Sequence, residues 1–272
     1  MRTRIRAALL LNIPVLCAFG ADGLTANDIM ARVAENQERA VEARARWTHH
    51  QDVLVRVTHS NGKLAREDHR EYTVLPGPAG IEKKLLHASQ TPAVMKGMRG
   101  EMDSDIAEDL ADDLTNEKGS RDGLSSKLFP FTRAEQAKYE FRLLGRETFR
   151  DREVWRVGFK PGGPNPEQAA WKGEALIDAA EFQPVMVTTR FAHRIPLAVR
   201  TLLGTNIGYL GFKVSYRKLG EGVWLPETYG GEFSLRALFF YNRRVGVSMR
   251  NSDFRVADVH SRIEYSLNSG SK

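Results

Sequence analysis

Seven histidines, His49, His50, His59, His69, His87, His193 and His260, are the side chains best suited to proton transfer or metal ligation. His49 and His50 are adjacent in a stretch of alternating polarity, so they point to opposite faces of a strand and cannot hold one ion together. No H-x-H or H-E-x-x-H spacing occurs. Asp103-Ser104-Asp105 resembles the start of a calcium loop, but Glu108 occupies the place that requires glycine, and the segment is expected to be helical. No G-x-S-x-G, P-loop or G-x-G-x-x-G is present. Carboxylate pairs such as Asp112-Asp113 are expected on a solvated face. The single cysteine, Cys17, excludes a disulfide framework and any cysteine-based zinc or iron–sulfur cage. The residues therefore point to no catalytic centre, no metal and no cofactor.

The first twenty residues have the layout of a secretory signal peptide. Arg2, Arg4 and Arg6 precede an apolar stretch from Ala7 to Phe19, and Ala18-Phe19-Gly20 offers a cleavage site before Ala21. A buried N-terminal helix and a lipoprotein signal are the alternatives. Leu16 stands before Cys17 where a lipobox has a small residue. Removal of residues 1–20 would lower the net charge from +6 to +3 and leave no cysteine, which suits an oxidising periplasm. No run of ~18 apolar residues marks a spanning helix.

The remaining chain, 21–272, is expected to form one domain. Thr25 to Ala45 reads as a helix with Thr25, Asn27 and Asp28 as cap candidates. From Trp47 the period becomes two: Trp47, His49, Gln51, Val53, Val55 and Val57 share one strand face. Ser60-Asn61-Gly62-Lys63 predicts a type I′ hairpin turn. Glu101 to Glu117 holds eight acids and no base, with Met102, Ile106, Leu110 and Leu114 forming a narrow apolar stripe along a helix. Gly119 to Lys127 and Pro161 to Pro166 read as loops. Later strands are expected at 138–146, 153–160, 171–178, 184–191, 210–219, 223–229, 232–244 and 245–258, with an end piece near 263–267. No crossover helices separate them, so the sheet is antiparallel.

These features predict a mainly β (α+β) fold: a curved antiparallel sheet of about eleven strands. It closes fully into a barrel, or closes partly as a half-open antiparallel barrel with the N-terminal helix and the acidic helix as its cover. Its apolar face would be lined by Trp155, Val157, Phe159, Val185, Val187, Phe191, Phe212, Val214, Phe233 and Leu235. That face is either a filled core or a hydrophobic hollow for an acyl chain, gated by Ile106, Leu110 and Leu114. The basic residues are scattered through strands rather than clustered, which argues against nucleic acid and fits peripheral attraction to anionic headgroups.

Gly173-Glu174-Ala175-Leu176-Ile177-Asp178, followed by Pro184-Val185-Met186-Val187, resembles a strand–turn–strand segment of LolA/LolB-like outer-membrane lipoprotein-sorting proteins. The order of elements, from signal peptide to helix to long β run, is similar as well. The resemblance implies the half-open form, a barrel covered by helices and holding lipid or acylated protein. The acidic helix and its loop are additional to that pattern. The leading expectation is a periplasmic, non-enzymatic carrier or sensor of lipid-like ligands. The alternatives are an envelope interaction or structural protein with a filled barrel, and an envelope hydrolase.

Overall fold

The computed structural model describes residues 23–77, 80–91, 97–113, 129–163, 169, 171–192, 206–237 and 241–257. The signal-like segment, Leu114, the 119–127 loop, most of 194–206 and the 263–267 end piece lie outside the described residues.

Helix α1 (Ala26–Arg39) begins at a reciprocal cap. The Thr25 hydroxyl accepts from the Asp28 backbone N–H at 3.2 Å, and the Asp28 carboxylate accepts from the Thr25 N–H at 2.9 Å. Ile29, Met30 and Val33 lie on one side at helical spacing and are fully buried. The expected single helix to Ala45 is interrupted at Ala40, and α2 (Val41–Arg44) follows.

Among the described residues, ten strands follow α1 and α2. They are β1 (Trp47–His59), β2 (Leu64–Gly77), β3 (Gly80–Thr91), β4 (Tyr139–Phe149), β5 (Arg152–Pro161), β6 (Trp171–Asp178), β7 (Pro184–Phe191), β8 (Asn206–Gly220), β9 (Val223–Ala237) and β10 (Tyr241–Val256). Helices α3 (Gly97–Asp113) and α4 (Arg133–Gln136) lie between β3 and β4. The sheet order is β3-β2-β1-β10-β9-β8-β7-β6-β5-β4, and all neighbours are antiparallel. The chain thus meanders from β4 to β10, and β1 then closes onto β10. The edges β3 and β4 are unpaired with each other, so the barrel is half open.

The strand count differs from eleven for a local reason. Gly230-Gly231 reads as a break, yet β9 runs through it. A side chain at Gly231 would lie 2.4 Å from Phe212 Cδ1, so the bare backbone lets that ring cross it. The expected strand 223–229 and the first half of 232–244 are therefore one strand, β9, while Tyr241 to Arg244 open β10. The β1–β2 hairpin also differs from expectation. His59 O accepts from Gly62 N at 2.9 Å, and only Gly62 takes positive φ (82°), followed by a register shift at Val57/Thr58. This is a three-residue loop with a glycine bulge, not a type I′ turn.

One face of the sheet curls around α1. Val53, Val55 and Val57 of β1, Val245, Val247 and Met249 of β10, Val214 of β8 and Val187 of β7 form a continuous core with Ile29, Met30 and Val33. Polar ties hold α1 in place. The Asn36 amide donates to Glu181 O at 2.7 Å, Gln37 donates to Gln183 at 2.7 Å, and Gln136 of α4 donates to Met30 O at 2.7 Å.

Candidate functional site

The inner face has two halves of different chemistry. On β4 to β9 it is aromatic and aliphatic. On β10, β1 and β2 it carries buried polar groups beneath α3.

In the first half, register places Phe159 opposite Gly173, Gly173 opposite Thr189, and Thr189 opposite Phe212. Trp171 meets Phe191 with ring centres 5.6 Å apart and Phe212 at 5.1 Å, both edge-on. Phe212 stacks on Tyr229 at 5.2 Å, and Tyr139 meets Phe159 at 5.8 Å. These rings gather at one end of the barrel because they sit at the matching ends of antiparallel strands: late in β5 and β7, early in β6 and β8. Offset and edge-on arrangements are the favoured ones for aromatic pairs.

The sequence-derived lining residues divide accordingly. Val157, Val187 and Val214 are fully buried, and Val185 nearly so. They fill the middle of the barrel against α1. Trp155, Phe159 and Phe212 are also buried. Phe191, Phe233 and Leu235 are half-buried, as are Phe141 and Leu143 on the edge strand β4. Among the sequence-derived lining residues on the described strands, partial exposure falls at the aromatic end, while Phe149, Phe182 and Met186 are partly exposed elsewhere. Tyr229 adds a polar element. Its hydroxyl is buried and has no hydrogen-bond partner among the described residues, and burial pushes its pKa upward. Trp171 and Tyr229 escaped the sequence reading, although Tyr229 shares strand parity with Phe233 and Leu235 on β9.

In the second half, α3 packs against β1 and β2. Ala107 is fully buried and Ile106 lies partly buried against the core. Leu110 falls in α3, but its side chain, like Leu114, is outside the described set. One acid of this helix is buried and paired. Asp103 is 2% exposed and accepts from the Tyr241 hydroxyl at 2.6 Å and from Arg243 Nε at 2.7 Å and Nη2 at 3.0 Å. Arg243 lies opposite Leu235, and Tyr241 opposite Ala237, in the β10–β9 register. The anchor of α3 therefore sits at the same barrel end as the half-buried aromatic rings.

Further buried polar residues line this half. Gln51 donates to Asn251 at 3.1 Å and accepts from Lys83 at 2.8 Å, while Asn251 donates to Pro226 O at 2.9 Å. Asp68 and Arg66 are 1% and 2% exposed and approach to 3.7 Å. His49 is buried beside the Phe254 ring at 5.4 Å, and its pKa falls to about 4 through burial, helped by the charges of Lys83 and His50. At the β6–β7 turn, Asp178 accepts from the backbone of Ala180 and Glu181 at 3.0 and 2.8 Å and from Arg152 at 2.9 Å. Asp178 thus caps the turn.

The opposite sheet face carries two open depressions. One, of about 600 Å³, is floored by Gly211, Gly230, Gly231 and Gly246. The other, of about 780 Å³, is ringed by Arg156, Lys160, Lys172, Glu174 and Arg190. No helix among the described residues is long and apolar enough to cross a membrane.

The sequence matches no protein-family model, and no curated protein aligns with it. Solved structures with similarity to the chain include a LolA-superfamily protein of Nitrosomonas europaea, at 16% identity over 89% of this chain and 97% of that one, with a TM-score of 0.33. A DUF1329-family protein of Desulfovibrio piger shows 9% identity over 91% and 99%, with a TM-score of 0.38. A domain named for outer-membrane lipoprotein sorting, of Vibrio parahaemolyticus, shows 13% identity over 88% and 99%, with a TM-score of 0.33.

Proposed function

We propose that the protein is a non-catalytic carrier or sensor of acyl-chain ligands, lipid or acylated protein, that acts in the periplasm after loss of residues 1–20, with residues 21–272 as one barrel domain. The observation that carries this reading is the aromatic end of the barrel. There Phe191, Phe233 and Leu235 lie partly exposed at the same barrel end as the buried rings of Phe159 and Phe212 and the buried anchor of α3. An acyl chain entering among them would gain ~0.8 kcal/mol per buried CH₂. The unpartnered Tyr229 hydroxyl would donate to an ester or amide carbonyl. The valines Val157, Val185, Val187 and Val214, with Trp155, form the floor of the site.

In this reading α3 is the cover, and among its described side chains the Asp103–Arg243 pair and the apolar contacts of Ile106 and Ala107 tie it to the sheet. Such an element opens at lower cost than one held by a broad apolar face. The reading needs no catalytic group: Asp103 and Asp178 are each engaged by an arginine, and Asp68 flanks Arg66.

Native mass spectrometry of the mature protein tests the proposal, together with uptake of a fluorescent fatty acid. Co-purified lipid adducts and saturable uptake are expected, with Ile106→Asp weakening retention more than it lowers the melting temperature. A bare mass and no uptake would overturn it. The second reading, an envelope interaction protein with a filled barrel, would then stand, favoured by the full burial of Val157, Val187 and Val214.

A further inference from the structure

The face of β1, β2 and β3 turned away from the core gathers side chains that are scattered in sequence. Asp52 lies directly opposite Glu71, and Glu71 opposite His87, while His50 and His69 occupy the neighbouring positions of the same face. His69 Nε2 is 2.7 Å from Asp52 Oδ2 and 4.0 Å from Glu71 Oε1. His50 Nε2 is 3.5 Å from Glu71 Oε2. The His69 and His87 rings are 6.3 Å apart. One ligand atom each from Asp52, His69 and Glu71 lies within 4.8 Å of the other two.

From these distances we propose that this face binds one divalent transition-metal ion, zinc foremost, through Asp52, His69 and Glu71, with His50 as the fourth ligand. Ligand atoms around tetrahedral zinc, at about 2.0–2.2 Å from the metal, stand about 3.3 Å apart. The observed separations bracket that figure, so small side-chain rotations suffice. Mixed imidazole and carboxylate donors suit zinc and its neighbours rather than calcium, which takes oxygen ligands alone. The side chains of His50, Asp52, His69 and Glu71 are 28–42% exposed, so an ion reaches them from solvent without opening the fold. Ordinary ion pairing accounts for His69 with Asp52. It does not account for a second imidazole on the same carboxylate, Glu71, with a third ring beside it. The donors come from paired β-strands, which hold their spacing better than a loop would. The ion would pin β2 to β1, on the sheet face opposite the proposed acyl site and independently of it.

The test is titration of the tag-free, chelator-treated mature chain with zinc chloride by calorimetry, and with cobalt(II) by absorption in the visible d–d region. One site per chain is expected, with tetrahedral cobalt bands. Affinity should fall at least about tenfold in His69→Ala and in Glu71→Gln. Asp52→Asn, a gentler change, should weaken binding while leaving urea unfolding of the apo protein near wild type. His59→Ala, outside the cluster, should leave binding unchanged. No zinc heat and no cobalt bands would overturn the proposal, as would affinity that survives His69→Ala with Glu71→Gln or is lost in His59→Ala.

Discussion

Arg243 grips Asp103 with two prongs, Nε to Oδ1 at 2.7 Å and Nη2 to Oδ2 at 3.0 Å, and so ties an acidic helix to the inside of a β-sheet. The two side chains are 6% and 3% exposed, and the Tyr241 hydroxyl completes the site. Removing one partner leaves the other charged and buried, which costs about 3–5 kcal/mol, whereas replacing both with apolar groups is often close to neutral. Asp103→Ala is therefore expected to lower stability sharply. Hydrogen exchange should show α3 losing protection before the sheet does. Asp103→Leu combined with Arg243→Met should recover most of the loss. Equal loss of protection in α3 and in β1 would show that the pair supports the whole fold rather than the helix.

Gly173 and Gly230 differ in what surrounds them. A side chain at Gly173 would fall 2.0 Å from Thr188 O, a backbone atom that cannot swing away. At Gly230 the nearest obstacle is Val247 O at 3.8 Å, an ordinary contact. Gly173→Ala should thus destabilise by about 1–3 kcal/mol or more, the usual cost of overpacking. Gly230→Ala should be neutral or slightly stabilising, since a strand glycine carries extra unfolded-state entropy. Chemical denaturation of the two variants side by side checks this, and similar midpoints would contradict it.

Tyr229 offers a separate handle on the interior. Its buried hydroxyl has no partner among the described residues, so deleting the oxygen removes a desolvation cost from the free protein. Tyr229→Phe should leave the melting temperature unchanged or raise it. If the hydroxyl meets a ligand carbonyl, the same variant should bind an acyl ester less tightly than wild type while keeping its affinity for a plain alkyl chain. Lower stability in Tyr229→Phe without ligand would mean that the oxygen already has a use in the fold.

The strand alternation from Trp47 to Val57 and from Trp155 to Phe159 was legible because one face of each strand is core, so period two shows in residue type. The Asp178 turn and the start of β7 at Pro184 were legible because both obey local backbone rules. Features set by tertiary context were not. Gly230-Gly231 has the composition of a turn, and only the Phe212 ring crossing it explains a strand there. Asp103 is one of eight acids in its segment, and its selection depends on the position of Arg243 across the barrel. The cluster of His50, Asp52, His69 and Glu71 depends on β1–β2 register, which a three-residue loop sets instead of the two-residue turn that Asn-Gly predicts.

His49 makes stability depend on pH. Its pKa is ordinarily near 6.5 and falls to about 4 in the fold, chiefly because burial disfavours the imidazolium, with Lys83 and His50 adding repulsion. Below the ordinary value the unfolded chain takes up a proton that the folded chain refuses. Stability is unaffected by His49 above about pH 7, declines as pH falls from about 6.5 toward 4, and then levels off. The full effect is on the order of 3 kcal/mol. Urea unfolding at pH 7 and pH 5 should show wild type losing more stability than His49→Phe, a variant whose ring still packs beside Phe254 without a titrating nitrogen. Equal losses in the two proteins would assign the acid sensitivity to other groups and leave His49 a packed ring of no titrational consequence.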